Sequence, residues 1–259
     1  MTELHVERWG EGPPVLLVHG AVADGPATWT EQRPLAERWT LVVPDRPGFG
    51  ENPPVERVDF DVDAPLVTEL LADGAHLVGH SYGGVISLLA AARRPQAVRS
   101  LTVVEPPAFG VARGNRDVDD VVGRLQEHWR SGPRDPEAFL RSFLRLVGAA
   151  LDPPSPLPPR LQRGAEMLLA ERGPWEAEIP LDELAGAGFP KLVVSGAHNP
   201  AFDAVCDVLE RRLSAERAVI PGAGHSVQRT GAPFNERLEN FLLSAESGQA
   251  SQRQTGSPM

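Results

Sequence analysis

The chain has 259 residues, of which 41% are apolar and 23% charged, so it can bury a substantial core without disulfides or a structural metal. Its net charge of −10 would repel a phosphate backbone, which excludes nucleic acid as an expected partner. The single cysteine, Cys206, excludes an internal disulfide and any zinc site built on two or more cysteines.

The sequence holds no segment typical of a signal peptide or a membrane span. Residues 1–10 are polar and contain no apolar signal core. No stretch approaches the length of uninterrupted apolar sequence that a transmembrane helix needs. We therefore expect a cytoplasmic protein with no membrane partner. The sequence does not specify its oligomeric state.

Short apolar runs alternate with amphipathic stretches along most of the chain. The predicted strands cover residues 15–18, 41–43, 76–78, 101–104, 192–194 and 218–220. The predicted helices between and after them cover residues 32–38, 62–72, 84–93, 200–213 and 234–243. Continuous Val and Leu runs are typical of strands covered on both faces, and the alternation with helices is typical of right-handed crossovers. The fold class is therefore predicted to be α/β, a mostly parallel sheet with helices on both faces.

Residues 109–188 interrupt this alternation, because they hold much proline and no good strand candidate. Helices are predicted at 118–129 and 161–171. Between these two helices, one apolar helical face is formed by Leu140, Phe143, Leu144, Val147 and Leu151. We expect this segment to be a helical cap inserted into the α/β core.

The predicted domain organisation follows from these patterns. The core comprises residues 1–108 and 189–246, and the cap comprises residues 109–188. Residues 247–259 are rich in Ser, Gln, Gly and Pro, a composition that predicts a disordered tail.

Residues 79–83 read Gly-His-Ser-Tyr-Gly and match the pattern G-x-S-x-G. An apolar strand precedes the motif and a helix-forming run follows it, which is the setting of a nucleophile on a strained strand-to-helix turn. Side chains in place of the two glycines would clash in such a turn. The motif therefore predicts that the Ser81 hydroxyl stands at a strand tip, beside a helix N-terminus whose dipole favours negative charge.

With this motif in this setting, the chain resembles the α/β-hydrolase superfamily over roughly residues 4–243. The resemblance also rests on His19-Gly20, on Asp-Arg-Pro-Gly-Phe-Gly at 45–50, on Gly-Ala-Gly-His at 222–225, and on Pro233, Asn235 and Phe241. It implies the α/β-hydrolase fold and a serine-type site, and it specifies no substrate.

A serine hydroxyl is barely ionised at pH 7, so it needs a neutral imidazole within hydrogen-bond reach. His225 is the strongest candidate, because its glycine-bounded loop follows the last predicted strand, where the resemblance implies the catalytic histidine. The resemblance gives His19 a role in shaping the loop that bears an oxyanion donor, and the role of His198 stays open. The two oxyanion donors are expected to be the backbone amides of Tyr82 and Ala21.

The acid of the expected triad departs from the family pattern, which puts an aspartate about three residues after Gly196, where this chain has Asn199. Asparagine cannot stabilise the imidazolium that forms on proton abstraction. The favoured alternative is Glu105, at the end of the preceding predicted strand, where some members of this fold carry the acid. A second alternative is Asp203 in the following helix, and a third is that Asn199 merely orients His225.

Together these residues predict a serine hydrolase that cleaves a carboxylic ester, thioester or lactone through an acyl-enzyme. The expected cap favours a small to medium, uncharged and partly hydrophobic small-molecule substrate. The unusual acid loop keeps two alternatives open: a non-hydrolytic enzyme (lyase, cyclase, or cofactor-free peroxidase or oxygenase) and a ligand-binding pseudo-enzyme. No G-x-G-x-x-G follows the first strands and no His/carboxylate group has metal-ligand spacing, so we expect neither a cofactor nor a metal.

Overall fold

Seven strands form one sheet in the computed structural model, which describes residues 4–149 and 152–255. The strands are β1 (Val6–Trp9), β2 (Pro14–Val18), β3 (Thr40–Pro44), β4 (Ala75–His80), β5 (Val98–Val104), β6 (Lys191–Ser195) and β7 (Glu216–Val219). Their order across the sheet is β1-β3-β2-β4-β5-β6-β7. The edge strand β1 pairs antiparallel with β3, and the other neighbours are parallel. All six predicted strands are confirmed, and β1 is an additional strand.

Helices connect the strands where the sequence predicts them, with one difference in type. The α-helices are α1 (Gly25–Thr28), α2 (Phe60–Leu70), α3 (Tyr82–Arg93), α4 (Arg116–Ser131), α5 (Pro136–Leu146), α6 (Pro159–Leu169), α7 (Leu181–Gly186), α8 (Pro200–Leu213) and α9 (Ala232–Thr255). The stretch predicted as a helix at 32–38 is a 3₁₀ helix, Thr30–Glu37, which contains Pro34. Proline lacks the backbone N–H that the interior of an α-helix uses, which disfavours the α form here.

Both faces of the sheet are covered, as the side chains of β2 demonstrate, because successive residues point to opposite faces. Leu16 and Val18 belong to the apolar layer that α2, α3 and α8 share. Val15 and Leu17 belong to the opposite layer, with α9 and the 3₁₀ helix. All four side chains are completely buried, and each burial contributes on the order of 1.5–3 kcal/mol. The predicted α/β class, with helices on both faces of a mostly parallel sheet, is confirmed.

The segment between β5 and β6 contains α4 to α7 and, among the residues that the structure describes, no strand. Helix α5 packs on α6 and buries Leu140 and Leu144, as the predicted apolar face requires. Val147 is also buried, Phe143 is half-buried, and Leu151 lies outside the described residues. Helix α7 contacts α3 and α8, so it joins the helix layer of the core. We refer to residues 109–180 as the helical insertion.

The last helix, α9, extends to Thr255, although a disordered tail is predicted from residue 247 onwards. Residues 247–255 contain no proline and include the helix-favouring residues Gln249, Ala250 and Arg253, which accounts for the difference. Residues 256–259 of the predicted tail lie outside the described part. Across the two described ranges, no helix combines the length and apolar composition needed to cross a membrane.

Candidate active site

Ser81 occupies a sharp turn between β4 and α3, with φ at +52°. A Cβ on Gly79 would lie 2.4 Å from the carbonyl oxygen of Gly83. A Cβ on Gly83 would lie 2.4 Å from the carbonyl oxygen of His19, beyond the end of β2. The two glycines therefore allow the backbone of the turn to approach its neighbours closely, which is the physical basis of the motif.

Gly83→Ala is expected to destabilise the protein by about 2–4 kcal/mol, because backbone atoms must shift to admit the new Cβ. Urea denaturation followed by circular dichroism measures this loss. Gly123→Ala is the matched control, since nothing lies within 4 Å of a Cβ added there, in the interior of α4. The control is expected to be neutral or to stabilise by up to about 1 kcal/mol. Similar effects of the two substitutions would contradict this account of the turn.

His225 lies beside Ser81, with its Nε2 atom 2.9 Å from the serine Oγ. The backbone carbonyl of His225 accepts a hydrogen bond from His80 Nε2 at 3.0 Å. Burial and the neighbouring His225 lower the pKa of His80 to about 3, so the His80 ring is neutral and fixes the loop. A Cβ on Gly196 would lie 2.0 Å from the carbonyl oxygen of Gly224, so the loop after β6 packs directly on the loop that carries His225. The predicted pair of Ser81 and His225 is thus brought together.

Glu105 follows β5, is completely buried, and has φ at +50°. Its Oε1 atom accepts a hydrogen bond from the Gly196 amide at 2.6 Å. Its Oε2 atom lies 3.5 Å from Nδ1 of His225 and 3.4 Å from Nδ1 of His198. Burial alone would raise the pKa of Glu105, but the two imidazoles lower it to about 2, so the carboxylate is ionised at neutral pH.

The other two residues considered for the role of the acid, Asp203 and Asn199, make their hydrogen bonds elsewhere. Asp203 accepts a hydrogen bond from the Ser195 hydroxyl at 2.7 Å and pairs with Arg217 at 3.4 Å. Asn199 is the N-cap of α8, where its side chain accepts from the Ala201 amide at 3.0 Å. Within the described residues, Glu105 is thus the candidate whose carboxylate faces His225.

Tyr82 and Ala21, the residues expected to supply the oxyanion donors, both line the small cavity beside Ser81. Tyr82 is the first residue of α3, so its N–H has no partner within the helix. The loop of Ala21 is held by His19, whose Nε2 accepts from the Arg46 amide at 2.8 Å while its Nδ1 donates to the Gly20 carbonyl at 2.8 Å. Burial and the charge of Arg46 lower the pKa of His19, so this ring is neutral. His19 is a buried support of the loop, as the resemblance implies.

Left-handed φ angles are concentrated at the carboxyl end of the sheet. Four non-glycine residues near the ends of β2, β4, β5 and β6 have them: Val22 (80°), Ser81 (52°), Glu105 (50°) and Ala197 (51°). L-residues rarely adopt this conformation, and each instance costs on the order of 1–3 kcal/mol. The surrounding packing therefore holds the loops of this end in conformations that they would not adopt alone.

Two cavities border Ser81 and His225. The larger, of about 260 Å³, is partly walled by Phe143, Leu144 and Val147 of the helical insertion. The smaller, of about 20 Å³, is lined mainly by the apolar and aromatic side chains Leu125, Trp129, Phe143, Trp175 and Phe202. The insertion thus contributes apolar walls beside Ser81. The sequence predicts a cap in this segment but does not identify which of its side chains line a cavity.

His198 is the site residue that sequence reasoning left unassigned. Its Nδ1 atom, Nδ1 of His225 and an oxygen of Glu105 all lie within 4.8 Å of one another. Two imidazoles and a carboxylate are also a ligand set of the kind that divalent cations accept, although the sequence shows no metal-ligand spacing. The fold assembles this group from three separate segments, which spacing along the chain cannot reveal. One member of this group, His225, also lies within hydrogen-bond distance of Ser81 through its other ring nitrogen.

Comparisons with known proteins identify the family of the chain. Over 263 aligned residues, the chain is 37% identical to a pimeloyl-[acyl-carrier protein] methyl ester esterase of Aeromonas hydrophila subsp. hydrophila, covering 92% of this chain and 95% of that protein. A thermophilic esterase from Thermogutta terrifontis, at 23% identity, superimposes with a TM-score of 0.66 over 93% of both chains, a likeness of fold. The model of the Alpha/beta hydrolase family matches residues 15–237. The chain therefore belongs to the alpha/beta hydrolase family.

Proposed function

We propose that the protein is a serine hydrolase that cleaves a carboxylic ester through an acyl-enzyme. The observation that carries this proposal is the 2.9 Å contact between Ser81 Oγ and His225 Nε2, with the ionised carboxylate of Glu105 behind the imidazole. A nucleophile, a base and a group that orients the base are the three parts that such catalysis needs.

In the proposed reaction, His225 Nε2 takes the proton of the Ser81 hydroxyl as Oγ attacks the carbonyl carbon of the substrate. The amides of Tyr82 and Ala21 donate hydrogen bonds to the negatively charged oxygen of the tetrahedral intermediate. When the intermediate collapses, the C–O bond of the ester breaks and the leaving alcohol receives the proton from His225. Water then repeats the sequence on the acyl-enzyme and releases the carboxylic acid and free Ser81.

In this scheme the Glu105 carboxylate faces Nδ1–H of His225, stays ionised, and stabilises the imidazolium formed in each half-reaction. The Gly196 amide holds the other carboxylate oxygen at 2.6 Å, so the carboxylate cannot rotate without breaking that bond. Every step uses side chains and amides of this chain together with water.

The substrate class follows from the cavity and from the relatives. The cavity of about 260 Å³ is walled by Phe143, Leu144 and Val147, which favours an uncharged, partly hydrophobic substrate of small to medium size. The name of the Aeromonas relative identifies it as a methyl ester esterase. We therefore propose a simple carboxylic ester as substrate. A thioester or a lactone could be cleaved by the same acyl-enzyme mechanism.

A fluorophosphonate probe tests the proposed nucleophile directly. Intact-protein mass spectrometry is expected to find one probe per chain, and peptide mapping is expected to place it on Ser81, because the activated hydroxyl attacks phosphorus as it attacks a carbonyl. Ser226, a neighbouring serine that lines the same cavity, is the internal control and is expected to stay unlabelled. No adduct, or an adduct on another residue, would contradict the proposal.

A panel of p-nitrophenyl esters of increasing acyl length then tests the proposed substrate class. We expect kcat/KM to pass through a maximum at short to medium chains, where the apolar cavity is filled. A preference for charged acyl groups would contradict the assigned class.

A further inference from the structure

Three buried ligand atoms meet behind the proposed base. They are Nδ1 of His225, Nδ1 of His198 and Oε2 of Glu105, and all lie within 4.8 Å of one another. Each atom is buried, and none has a hydrogen-bond partner among the residues that the structure describes. A buried polar atom without a partner is costly, so three of them at one point indicate a place for a ligand that contacts all three.

Two of the three side chains are oriented by the backbone through their other polar atom. Oε1 of Glu105 accepts a hydrogen bond from the Gly196 amide at 2.6 Å. Nε2 of His198 lies 3.0 Å from the carbonyl oxygen of Val147. Because a carbonyl oxygen only accepts, this nitrogen carries the proton, and the neutral ring presents its lone pair at Nδ1. Contacts of this kind orient the ligands of metal sites.

The spacing of the three ligand atoms matches the coordination of zinc. Oε2 of Glu105 lies 3.5 Å from Nδ1 of His225 and 3.4 Å from Nδ1 of His198. Two ligands of a tetrahedral zinc ion are about 3.4 Å apart, given Zn–N and Zn–O bonds of about 2.0–2.2 Å. Imidazole nitrogens favour Zn²⁺ over Mg²⁺ and Ca²⁺, which prefer oxygen ligands. The centroid of the Phe202 ring is 4.9 Å from that of His225 and 5.5 Å from that of His198, which adds an apolar wall beside the ligands.

We propose that Glu105, His198 and His225 form a binding site for Zn²⁺ and that the bound ion inhibits hydrolysis reversibly. The inhibitory part rests on the proposed function. A neutral imidazole has one lone pair, so when zinc binds Nδ1 of His225 the ring proton moves from Nδ1 to Nε2. Nε2 then donates towards Ser81 instead of taking its proton, and the carboxylate that orients the base is bound to the metal.

Isothermal titration calorimetry with Zn²⁺ tests the binding, on protein freed of metal by a chelator and at about pH 7.5, where imidazoles are mostly neutral. We expect one ion per chain in the wild type. His198→Gln removes one ligand and is expected to weaken binding by about 100-fold or more, since losing only an outer partner of a metal ligand costs 10–100-fold. Mg²⁺ is expected not to compete.

Zinc X-ray absorption spectroscopy of the wild-type complex gives a measurement that does not depend on the folding of a variant. The spectrum is expected to show two imidazoles and at least one oxygen ligand on the ion. A spectrum with fewer than two imidazoles would overturn the inference.

Hydrolysis of a p-nitrophenyl ester tests the inhibition, with each rate expressed relative to the same protein in EDTA. At a Zn²⁺ concentration about ten times the wild-type Kd, about nine-tenths of the sites are occupied, so the wild-type rate is expected to fall about tenfold. Excess EDTA is expected to restore it. His198→Gln is expected to retain about nine-tenths of its own rate, because a site weakened about 100-fold is then about one-tenth occupied.

His5→Gln is the matched control. His5 also faces a buried carboxylate, Asp45, at 3.0 Å, but this pair belongs to no three-ligand group within the described ranges. Its relative rate in Zn²⁺ is expected to equal that of the wild type.

Equal affinity of the wild type and His198→Gln for Zn²⁺ would place the ion elsewhere and overturn the inference. An active enzyme that binds one Zn²⁺ and keeps its rate would overturn the inhibitory role. The proposed function fails by a different result, an active Ser81→Ala, and in that case the calorimetry and the X-ray absorption still decide whether the metal site exists.

Discussion

Replacing Ser81 with alanine is expected to lower kcat for p-nitrophenyl acetate by about 10⁵- to 10⁶-fold, the range found when a triad nucleophile is removed. The substitution deletes the atom that attacks the carbonyl carbon, and no other hydroxyl is within hydrogen-bond reach of His225 Nε2 in the described part of the chain. Alanine tolerates the φ of +52° at this turn about as well as serine does, as Ala197 already has a φ of 51°. The fold is therefore expected to survive, which circular dichroism would verify.

Ser87→Ala is the matched control for this experiment. Ser87 lies on the same helix, α3, is completely buried, and its hydroxyl has no hydrogen-bond partner among the described residues. Its removal is expected to leave kcat within about tenfold of wild type. If Ser81→Ala retained activity comparable to this control, the acyl-enzyme on Ser81 would be excluded.

Glu105→Gln is expected to lower kcat by about 10³- to 10⁴-fold, which is the effect of replacing a triad acid by its amide. The glutamine oxygen can still accept from the Gly196 amide, so the loop after β6 stays attached. The amide then presents no negative charge to Nδ1 of His225, and the imidazolium of the transition state loses its partner. Steady-state kinetics on a p-nitrophenyl ester at saturating substrate measures this loss.

Asp203→Asn distinguishes the two carboxylates that the sequence offers for this role. The Asp203 carboxylate is engaged by Ser195 and Arg217, so its replacement is expected to change kcat by less than about tenfold. A small effect of Glu105→Gln together with a large effect of Asp203→Asn would transfer the role to Asp203. Small effects of both would leave Asn199 as the group that orients His225.

The features that local sequence determines were predictable. Runs of Val and Leu identified the five inner strands, because strands buried on both faces leave little room for polar side chains. The glycines of residues 79–83 identified the turn at Ser81, because close backbone approach admits no Cβ. The additional strand β1 is different: it is an edge strand that carries Glu7 and Arg8, so it lacks the continuous apolar run.

The features that depend on how separate segments meet were not predictable. His198 has no motif of its own, and it faces Glu105 only because the loop after β6 passes beside the end of β5. The choice among Glu105, Asp203 and Asn199 likewise depends on which side chains turn towards His225, which one sequence does not specify. The directions of side chains in the helical insertion are set by its packing on the core, so Phe143 and Val147 could be assigned to an apolar face but not to a cavity.

The left-handed backbone at Val22, Ser81, Glu105 and Ala197 has a bearing on how the protein could be made more heat-resistant. These conformations together oppose folding, and all four lie at one end of the sheet. Glycine would relieve the backbone strain at Val22 or Ala197, yet it would also make the loops that hold the reacting groups more flexible. Engineering for thermal tolerance is therefore better directed to the opposite rim of the molecule, where rigidity and turnover do not compete.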